Sequence, residues 1–314
     1  MKLQQLRCLT EVVRRGLNVS DAADALHTSQ PGVSKQIRAL EEELGVEVFA
    51  RHGKRLVAVT EPGKAVIAIA ERILAETHNL RRAGEEYAND KLGTLTIAAT
   101  HTQARYAMPQ AVAAFKRRYP KVELVIHQGN PTQICEQLLA GEADLGVATE
   151  MIEHHPGLVS LPVYQWNRCV VVPPKHPLIK AGRLTLEKLA AYPIVTYDFA
   201  FANRSLVQKA FESRGLAPHV VLSAQDSDVI KTYVELGLGV GILARMAFDP
   251  KRDRELRAID ASHLFESSTT RLGIKRGAYL RRYAYEFIEL FAPQLPRSIV
   301  ERTVRGEEGS RYEL

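Results

Sequence analysis

Apolar residues in the first 60 positions recur at helical intervals. Leu6, Leu9 and Val13 share one face; a break at Gly16-Leu17-Asn18 precedes a short helix, Ser20 to Leu26, with Ala22, Ala23 and Leu26 apolar. His27-Thr28-Ser29 turns the chain into a third helix, for which Ser29 is a good N-cap and Pro31 a first-turn residue whose missing N–H costs nothing. Val33, Ile37, Leu40 and Leu44 then share one face, which predicts that all four are buried, and Gly45 ends the helix. Short apolar runs, Val46, Val48 and Phe49, then Leu56, Val57 and Val59, flank Arg51-His52-Gly53-Lys54-Arg55. The pattern predicts an N-terminal all-α helix-turn-helix carrying a two-stranded wing over residues 1–60.

Thr60-Glu61-Pro62 is another helix start, and no proline follows before position 109. Within the linker assigned to 61–89, a helix of roughly 26 residues reaching about Ala88 would span about 39 Å at 1.5 Å per residue. Val66, Ile69, Ile73 and Leu80 form one narrow stripe along it, with nothing in its own chain expected to cover it, so a second copy is the expected partner. From residue 93 to about 292, β-rich runs (Leu95–Ala99, Val122–His127, Leu145–Ala148, Arg168–Val172, Ile194–Tyr197, Val220–Ala224, Val240–Leu243, Leu272–Lys275) alternate with helical stretches such as Gln103–Arg118 and Tyr279–Phe291. That alternation predicts parallel α/β sheets in two small lobes, with ligands held outside the carboxyl ends of strands near helix N-termini. The tail, 293–314, is expected to fray from Glu301 onward.

Composition adds boundaries. With 314 residues, 46% hydrophobic and 25% charged, the chain is ordinary globular protein, which excludes disordered, collagenous and disulfide-scaffold classes. The net charge of +6 hints at a polyanionic partner only if the cations are concentrated in one place. Cys8, Cys135 and Cys169 lie far apart, in neither metal nor redox spacing, and three thiols cannot all pair in one chain, which suits a reducing compartment. The segment Met1 to Arg7 lacks a signal-like apolar stretch, and the longest apolar run, Gly237 to Phe248, is interrupted by Arg245. A cytoplasmic protein without membrane association is expected.

The cations are concentrated. With one face of the third helix buried, the other presents Gln30, Pro31, Ser34, Lys35 and Arg38. Gln pairs bidentately with adenine, Arg and Lys with guanine, and Ser with phosphate or base. Arg51, Lys54 and Arg55 at the wing would reach the flanking backbone of double-stranded DNA.

The residues Asn18-Val19-Ser20-Asp21-Ala22-Ala23 and Thr28-Ser29-Gln30-Pro31-Gly32-Val33-Ser34 resemble the helix-turn-helix of LysR-type transcriptional regulators. So does the continuation Ile37, Leu40-Glu41, Leu44-Gly45, Phe49, Arg51, Thr60 and Gly63. Farther along, Thr100-His101-Thr102-Gln103-Ala104-Arg105-Tyr106, Gln128-Gly129-Asn130-Pro131-Thr132-Gln133, Trp166-Asn167-Arg168, Asp228-Val229-Ile230-Lys231-Thr232-Tyr233 and Gly237-Leu238-Gly239-Val240-Gly241 resemble one branch, the CysB-type regulators of sulfur assimilation. The resemblance implies a long linker helix and a C-terminal α/β two-lobed effector domain like a periplasmic binding protein, with lobe I at 93–164 plus 268–292 and lobe II at 165–267. It implies promoter DNA, RNA polymerase and further copies of the chain (homodimer or homotetramer) as partners. It also implies a small anionic effector: sulfate, thiosulfate, O-acetylserine or N-acetylserine.

The effector site carried over falls on Thr100, Thr102, Gln103 and Thr149, with Trp166 nearby. Thr100 to Gln103 lies between a strand and a helix, where free N–H groups favour an anion. One departure stands out: relatives have a further Thr donor where this chain has Ala202, beside Asn203. That puts sulfate specificity in question and keeps open a LysR-type regulator of another pathway, answering to a different carboxylate.

Two other classes have less behind them. A solute receptor needs a signal peptide, and an enzyme needs a nucleophile or acid/base constellation; no GxSxG elbow or phosphate-binding GxxxxGK[ST] loop occurs. His154-His155 and His127 have no carboxylate or Cys at ligand spacing and read as surface and strand residues. No catalytic activity, metal or cofactor is expected.

Overall fold

In the computed structural model the described residues are 1–53, 55–88, 91–149, 155–198 and 206–306, and the chain divides into two compact units, Met1–Tyr87 and Ala88–Leu314.

The first unit runs α1 (Leu3–Arg14), α2 (Val19–Ala25), α3 (Gln30–Leu44), β1 (Phe49–His52), β2 (Arg55–Val59) and α4 (Glu61–Ala88). Asn18 starts α2 by accepting the N–H groups of Ser20 and Asp21, and the Ser29 hydroxyl caps α3 on Gly32 N–H. Leu6, Leu9, Ala22, Ala23, Val33, Ile37 and Leu40 close a single core.

One predicted core position is wrong. Leu44 is exposed, and Glu41 is buried in its place. The reason is local: the Glu41 carboxylate accepts the N–H groups of Val48 (2.8 Å) and Phe49 (3.2 Å) and pairs with Arg51 at 2.5 Å, so helix and wing are joined through a buried acid. The start of α4 is fixed to the same place. Thr60 caps Gly63 N–H, and a Cβ on Gly63 would lie 2.2 Å from the Val48 carbonyl oxygen, so only glycine fits.

The stripe on α4 divides. Ile67 and Ala70 are buried in the helix-turn-helix core with Val66, Ile73 and Leu74 packed against it, whereas Ile69, Leu80 and Tyr87 stay exposed. The expectation that nothing in the chain covers Val66 and Ile73 is therefore corrected: one face of the first turns of α4 serves its own unit, and the open seam runs from Ile69 on another face to Leu80 and Tyr87.

The second unit contains two five-stranded sheets. Lobe I holds β3 (Gly93–Ala99), α5 (Pro109–Arg118), β4 (Val122–Gln128), α6 (Pro131–Ala140), β5 (Leu145–Thr149) and β6 (Leu158–Trp166). Lobe II holds β7 (Arg168–Val172), α7 (Leu186–Ala190), β8 (Ile194–Tyr197), α8 (Leu206–Glu212), β9 (Val220–Ala224), α9 (Ser227–Glu235), β10 (Val240–Ala244) and β11 (Arg257–Asp260). The chain then returns to lobe I through β12 (Ser268–Lys275), α10 (Arg282–Phe291) and α11 (Arg297–Arg305). The strand orders are β4-β3-β5-β12-β6 and β11-β7-β10-β8-β9.

The sheets are mixed rather than parallel. β3, β4 and β5 are parallel, as are β8, β9 and β10, but β12 runs antiparallel to β5 and β6, and β7 runs antiparallel to β10 and β11. The antiparallel strands are the ones that carry the chain between lobes. Alternate residues of each strand serve opposite faces: Leu95 and Ile97 pack with Phe115 and Phe287, while Ala98 packs with Ile134 and Leu138. In lobe II, Val170 and Val172 face Phe211, and Cys169 and Val171 face Ile230 and Val234. Both faces are buried, as covered parallel strands require. The three thiols are free and buried.

Two further expectations are corrected. The tail does not fray at Glu301, because α11 continues to Arg305 and buries Val300 and Val304, one turn apart. The single helix expected over Gln103–Arg118 is broken into a π turn, Gln103–Ala107, followed by α5 beginning at Pro109, whose ring cannot continue a preceding helical ladder. The glycines after α9 act as turn and packing residues: Gly237 has φ +82°, and a Cβ on Gly239 would meet the Pro193 carbonyl oxygen at 2.3 Å. Among the described residues, no helix is long and apolar enough to cross a membrane.

Candidate nucleic-acid interface and effector site

On α3, with Val33, Ile37 and Leu40 turned inward, Gln30, Pro31, Lys35 and Arg38 are exposed and Ser34 is half-buried on the opposite side. A rigid helix thus presents an amide, a hydroxyl, an ammonium and a guanidinium on successive turns. Ser29 is committed to capping. At the wing, Arg55 is exposed, while the Arg51 guanidinium is engaged by Glu41 and half-buried; its first task is structural. Lys54 lies outside the described residues.

In the second unit, the carboxyl edge of the lobe I sheet collects the predicted effector residues. Thr100 follows β3 and Thr149 ends β5, and the two strands are parallel neighbours, with Thr100 N–H donating to the Val147 carbonyl. Thr149 pairs with Thr270 on β12, and Thr270 pairs with Tyr164 on β6, so three strands place hydroxyls in one row. Thr102 opens the π turn and reaches lobe II: its hydroxyl lies 3.4 Å from that of Ser227, which is fully buried and 2.7 Å from the Tyr197 hydroxyl. π turns widen a helix by one residue and recur at functional sites.

Gln103 is placed differently from expectation. It is 1% exposed; its amide N–H donates to Thr270 Oγ1 at 3.0 Å, and its carbonyl oxygen accepts the Tyr164 hydroxyl. The side chain supports the row of hydroxyls from behind. Trp166 stands at the crossover into lobe II, with its indole N–H buried and no hydrogen-bond partner among the described residues. Its ring carries the Arg168 guanidinium at 5.0 Å, and Arg168 donates to the Glu266 carbonyl (3.1 Å) and Ser268 Oγ (3.0 Å). Arg168 thereby ties the outgoing crossover to the returning one. Ala202 and Asn203 lie outside the described residues.

Beside Thr102 runs a polar cluster that the sequence reading did not assign. His101 Nε2 is 3.1 Å from Asp228 Oδ2, Arg105 Nε is 2.6 Å from the same oxygen, and Tyr106 donates to Asp228 Oδ1 at 2.7 Å. Lys231, nearly buried, donates to Tyr106 (3.1 Å), Asp253 (2.9 Å) and the Ala247 carbonyl (3.0 Å). Burial alone would push the Asp228 carboxyl up, but hydrogen bonds from Tyr106 and Lys231 and the charges of Lys231 and Arg105 outweigh it and hold it below the usual range. Asp228 and Lys231 belong to the Asp228–Tyr233 block singled out in the sequence; the convergence of His101, Arg105 and Tyr106 on them is a tertiary fact that spacing alone does not contain.

A helix-turn-helix with an exposed polar and cationic helix face and a wing, on a chain that also carries a two-lobed α/β domain with hydroxyls at its interlobe edge, defines a DNA-binding regulator with a ligand-binding domain. Residues 3–64 match the bacterial regulatory helix-turn-helix protein, lysR family, and residues 88–296 match the LysR substrate binding domain. The chain belongs to the LysR family of transcriptional regulators, in its CysB-type branch. It is 55% identical to the HTH-type transcriptional regulator CysB of Burkholderia cenocepacia and 45% identical to the HTH-type transcriptional regulator cbl of Escherichia coli, with 100% of both chains covered in each case. The crystal structure of the cofactor-binding domain of the Cbl transcriptional regulator matches with a TM-score of 0.66 at 44% identity, covering 69% of this chain and 95% of that one.

Proposed function

We propose that this protein regulates, chiefly as an activator, promoters of sulfur assimilation and cysteine biosynthesis, and that a small anion of the sulfate, thiosulfate, O-acetylserine or N-acetylserine type controls it from the interlobe edge. The observation that carries this reading is the row of neutral hydroxyls, Thr100, Thr102 and Thr149, on one sheet edge facing the second lobe. Neutral donors and backbone N–H groups select an oxyanion by hydrogen-bond geometry rather than by a salt bridge. Gln103 fixes the neighbouring hydroxyls of Thr270 and Tyr164 on the strands beside Thr149, and Trp166 sits at the crossover between the lobes.

Gln30, Pro31, Ser34, Lys35 and Arg38 read the major groove of promoter DNA, with Arg55 and Lys54 on the flanking phosphates. Ser29 and Arg51 act indirectly by holding helix and wing. The regulator works as a homodimer through α4, paired again into a homotetramer through the effector domains, and recruits RNA polymerase.

A second reading, with a different carboxylate as effector, is favoured by Ala202, which lacks the hydroxyl that relatives carry there. A thermal-shift screen of the full chain against sulfate, thiosulfate, O-acetylserine, N-acetylserine and benzoate separates them. At least one of the first four is expected to stabilise the wild type, with the shift lost in Thr149→Ala. Stabilisation by benzoate alone would select the second reading, and stabilisation by none would remove the anion site.

A further inference from the structure

The two lobes are linked covalently at the crossovers and held together elsewhere by side chains. The polar side-chain contacts described across that gap away from the crossovers come from one short segment of lobe I, His101 to Tyr106, meeting one turn of lobe II, Ser227 to Lys231, and the same segment also packs against Arg245–Ala247. Three of them end on a single carboxylate. Asp228 Oδ2 takes His101 (3.1 Å) and Arg105 (2.6 Å), and Asp228 Oδ1 takes Tyr106 (2.7 Å). Behind Asp228, within its own lobe, Lys231 is 3.1 Å away and is itself anchored on Asp253 and the Ala247 carbonyl, so the acceptor is held rigidly while the donors arrive from the other lobe. Asp226 caps α9 on Val229 N–H, and its carboxylate lies within 4.8 Å of His101 and Asp228. The segment gripped begins directly after Thr100, contains Thr102, and continues from Gln103 to Ala107 as a π turn rather than a regular helix.

We propose that Asp228 is a positioning residue: it latches lobe I to lobe II and thereby holds the Thr100–Thr102 turn in its anion-binding conformation. The latch makes a prediction opposite in sign to simple electrostatics. A carboxylate close to an anion site repels the anion, so removing its charge should tighten binding if Asp228 were a bystander. If Asp228 is the latch, removing the charge opens the domain, and apparent affinity falls by the fraction of molecules that remain closed.

The part of this inference that concerns affinity rests on the anion site proposed above; the latch itself does not. The test is therefore made with two readouts on the full chain. Hydrogen exchange is followed at Ala104 N–H and Met108 N–H, which bond to the Thr100 and Gln103 carbonyls, with the β12 amides as an internal reference. In Asp228→Asn, exchange at these two amides is expected to rise about tenfold with β12 unchanged, and Asp228→Glu should restore most of the protection. Arg105→Met is expected to add little on top of Asp228→Asn, as partners in one contact do. Titration with sulfate and with N-acetylserine should show about tenfold weaker binding in Asp228→Asn. Unchanged exchange at Ala104 and Met108, fully additive effects of the two substitutions, or tighter anion binding in Asp228→Asn would each overturn the latch. If the wild type bound neither anion, the effector reading would fail and the exchange data alone would decide for or against the latch.

Discussion

Glu41 and Arg38 are three positions apart on α3, yet substitutions at them should have separable effects. Glu41 is buried and satisfies two wing N–H groups and Arg51. Glu41→Ala strands all three and is expected to cost about 2–4 kcal/mol in the first unit, because buried donors are left unpaired. A lowered urea midpoint for that unit, read by circular dichroism, checks this. Arg38 is exposed, so Arg38→Ala should leave the midpoint in place and instead lose about 1–3 kcal/mol of discrimination between cognate and altered sites. Competition binding with single-base variants of an upstream site measures the loss. Equal loss on every sequence would place Arg38 on phosphate. The exposed face of α3 was legible in the sequence because helical period alone defines it. The exchange of Leu44 for Glu41 was not, since an acid enters a core only when tertiary donors await it, and those came from residues 48, 49 and 51.

At the scale of elements, what the sequence concealed has physical causes. β6 contains Pro162, which argues against a strand, but β6 is the edge strand of its sheet and the proline falls at a register shift opposite Arg271, the kind of position where a strand tolerates a residue without an N–H. β11 is only four residues long and also lies on an edge, with too little apolar pattern to detect. α11 has just two buried residues in a charged stretch, enough to dock and too few to stand out. The linker helix was legible from its cap, its length and its stripe. The division of that stripe was not, because Val66 and Ile73 are claimed by a core formed from distant segments. What remains open on α4 is Ile69 (48% exposed), Leu80 (74%) and Tyr87 (91%). These are the positions expected to meet a second copy, and Ile69→Lys with Leu80→Lys would bring like charges together at the seam. Sedimentation at micromolar concentration should then show a smaller species than the wild type, with each unit still folded. An unchanged sedimentation coefficient would put the interface elsewhere.

The whole molecule carries two candidate sites on separate units of one chain. Resemblance to the family's motifs located Thr100, Thr102 and Thr149 in the sequence, and strand ends explain them, because parallel neighbours deliver their carboxyl termini to one edge. The inward turn of Gln103 and the clustering around Asp228 depend on strands and a helix from the opposite half of the fold, which local pattern does not report. The central claim is that an anion at these hydroxyls governs promoter binding by a different unit. Fluorescence anisotropy of the full chain on upstream promoter DNA, with and without N-acetylserine or thiosulfate, tests it in wild type and in Thr102→Ala. The loss of one half-buried hydroxyl at the anion site should weaken the effector by about five- to a hundredfold. The anion is expected to shift the wild-type DNA isotherm, and Thr102→Ala to bind DNA as the unliganded wild type does while ignoring the anion at the concentration that shifts the wild type. A Thr102→Ala protein that responds with wild-type sensitivity, or one that no longer binds DNA at all, would contradict it.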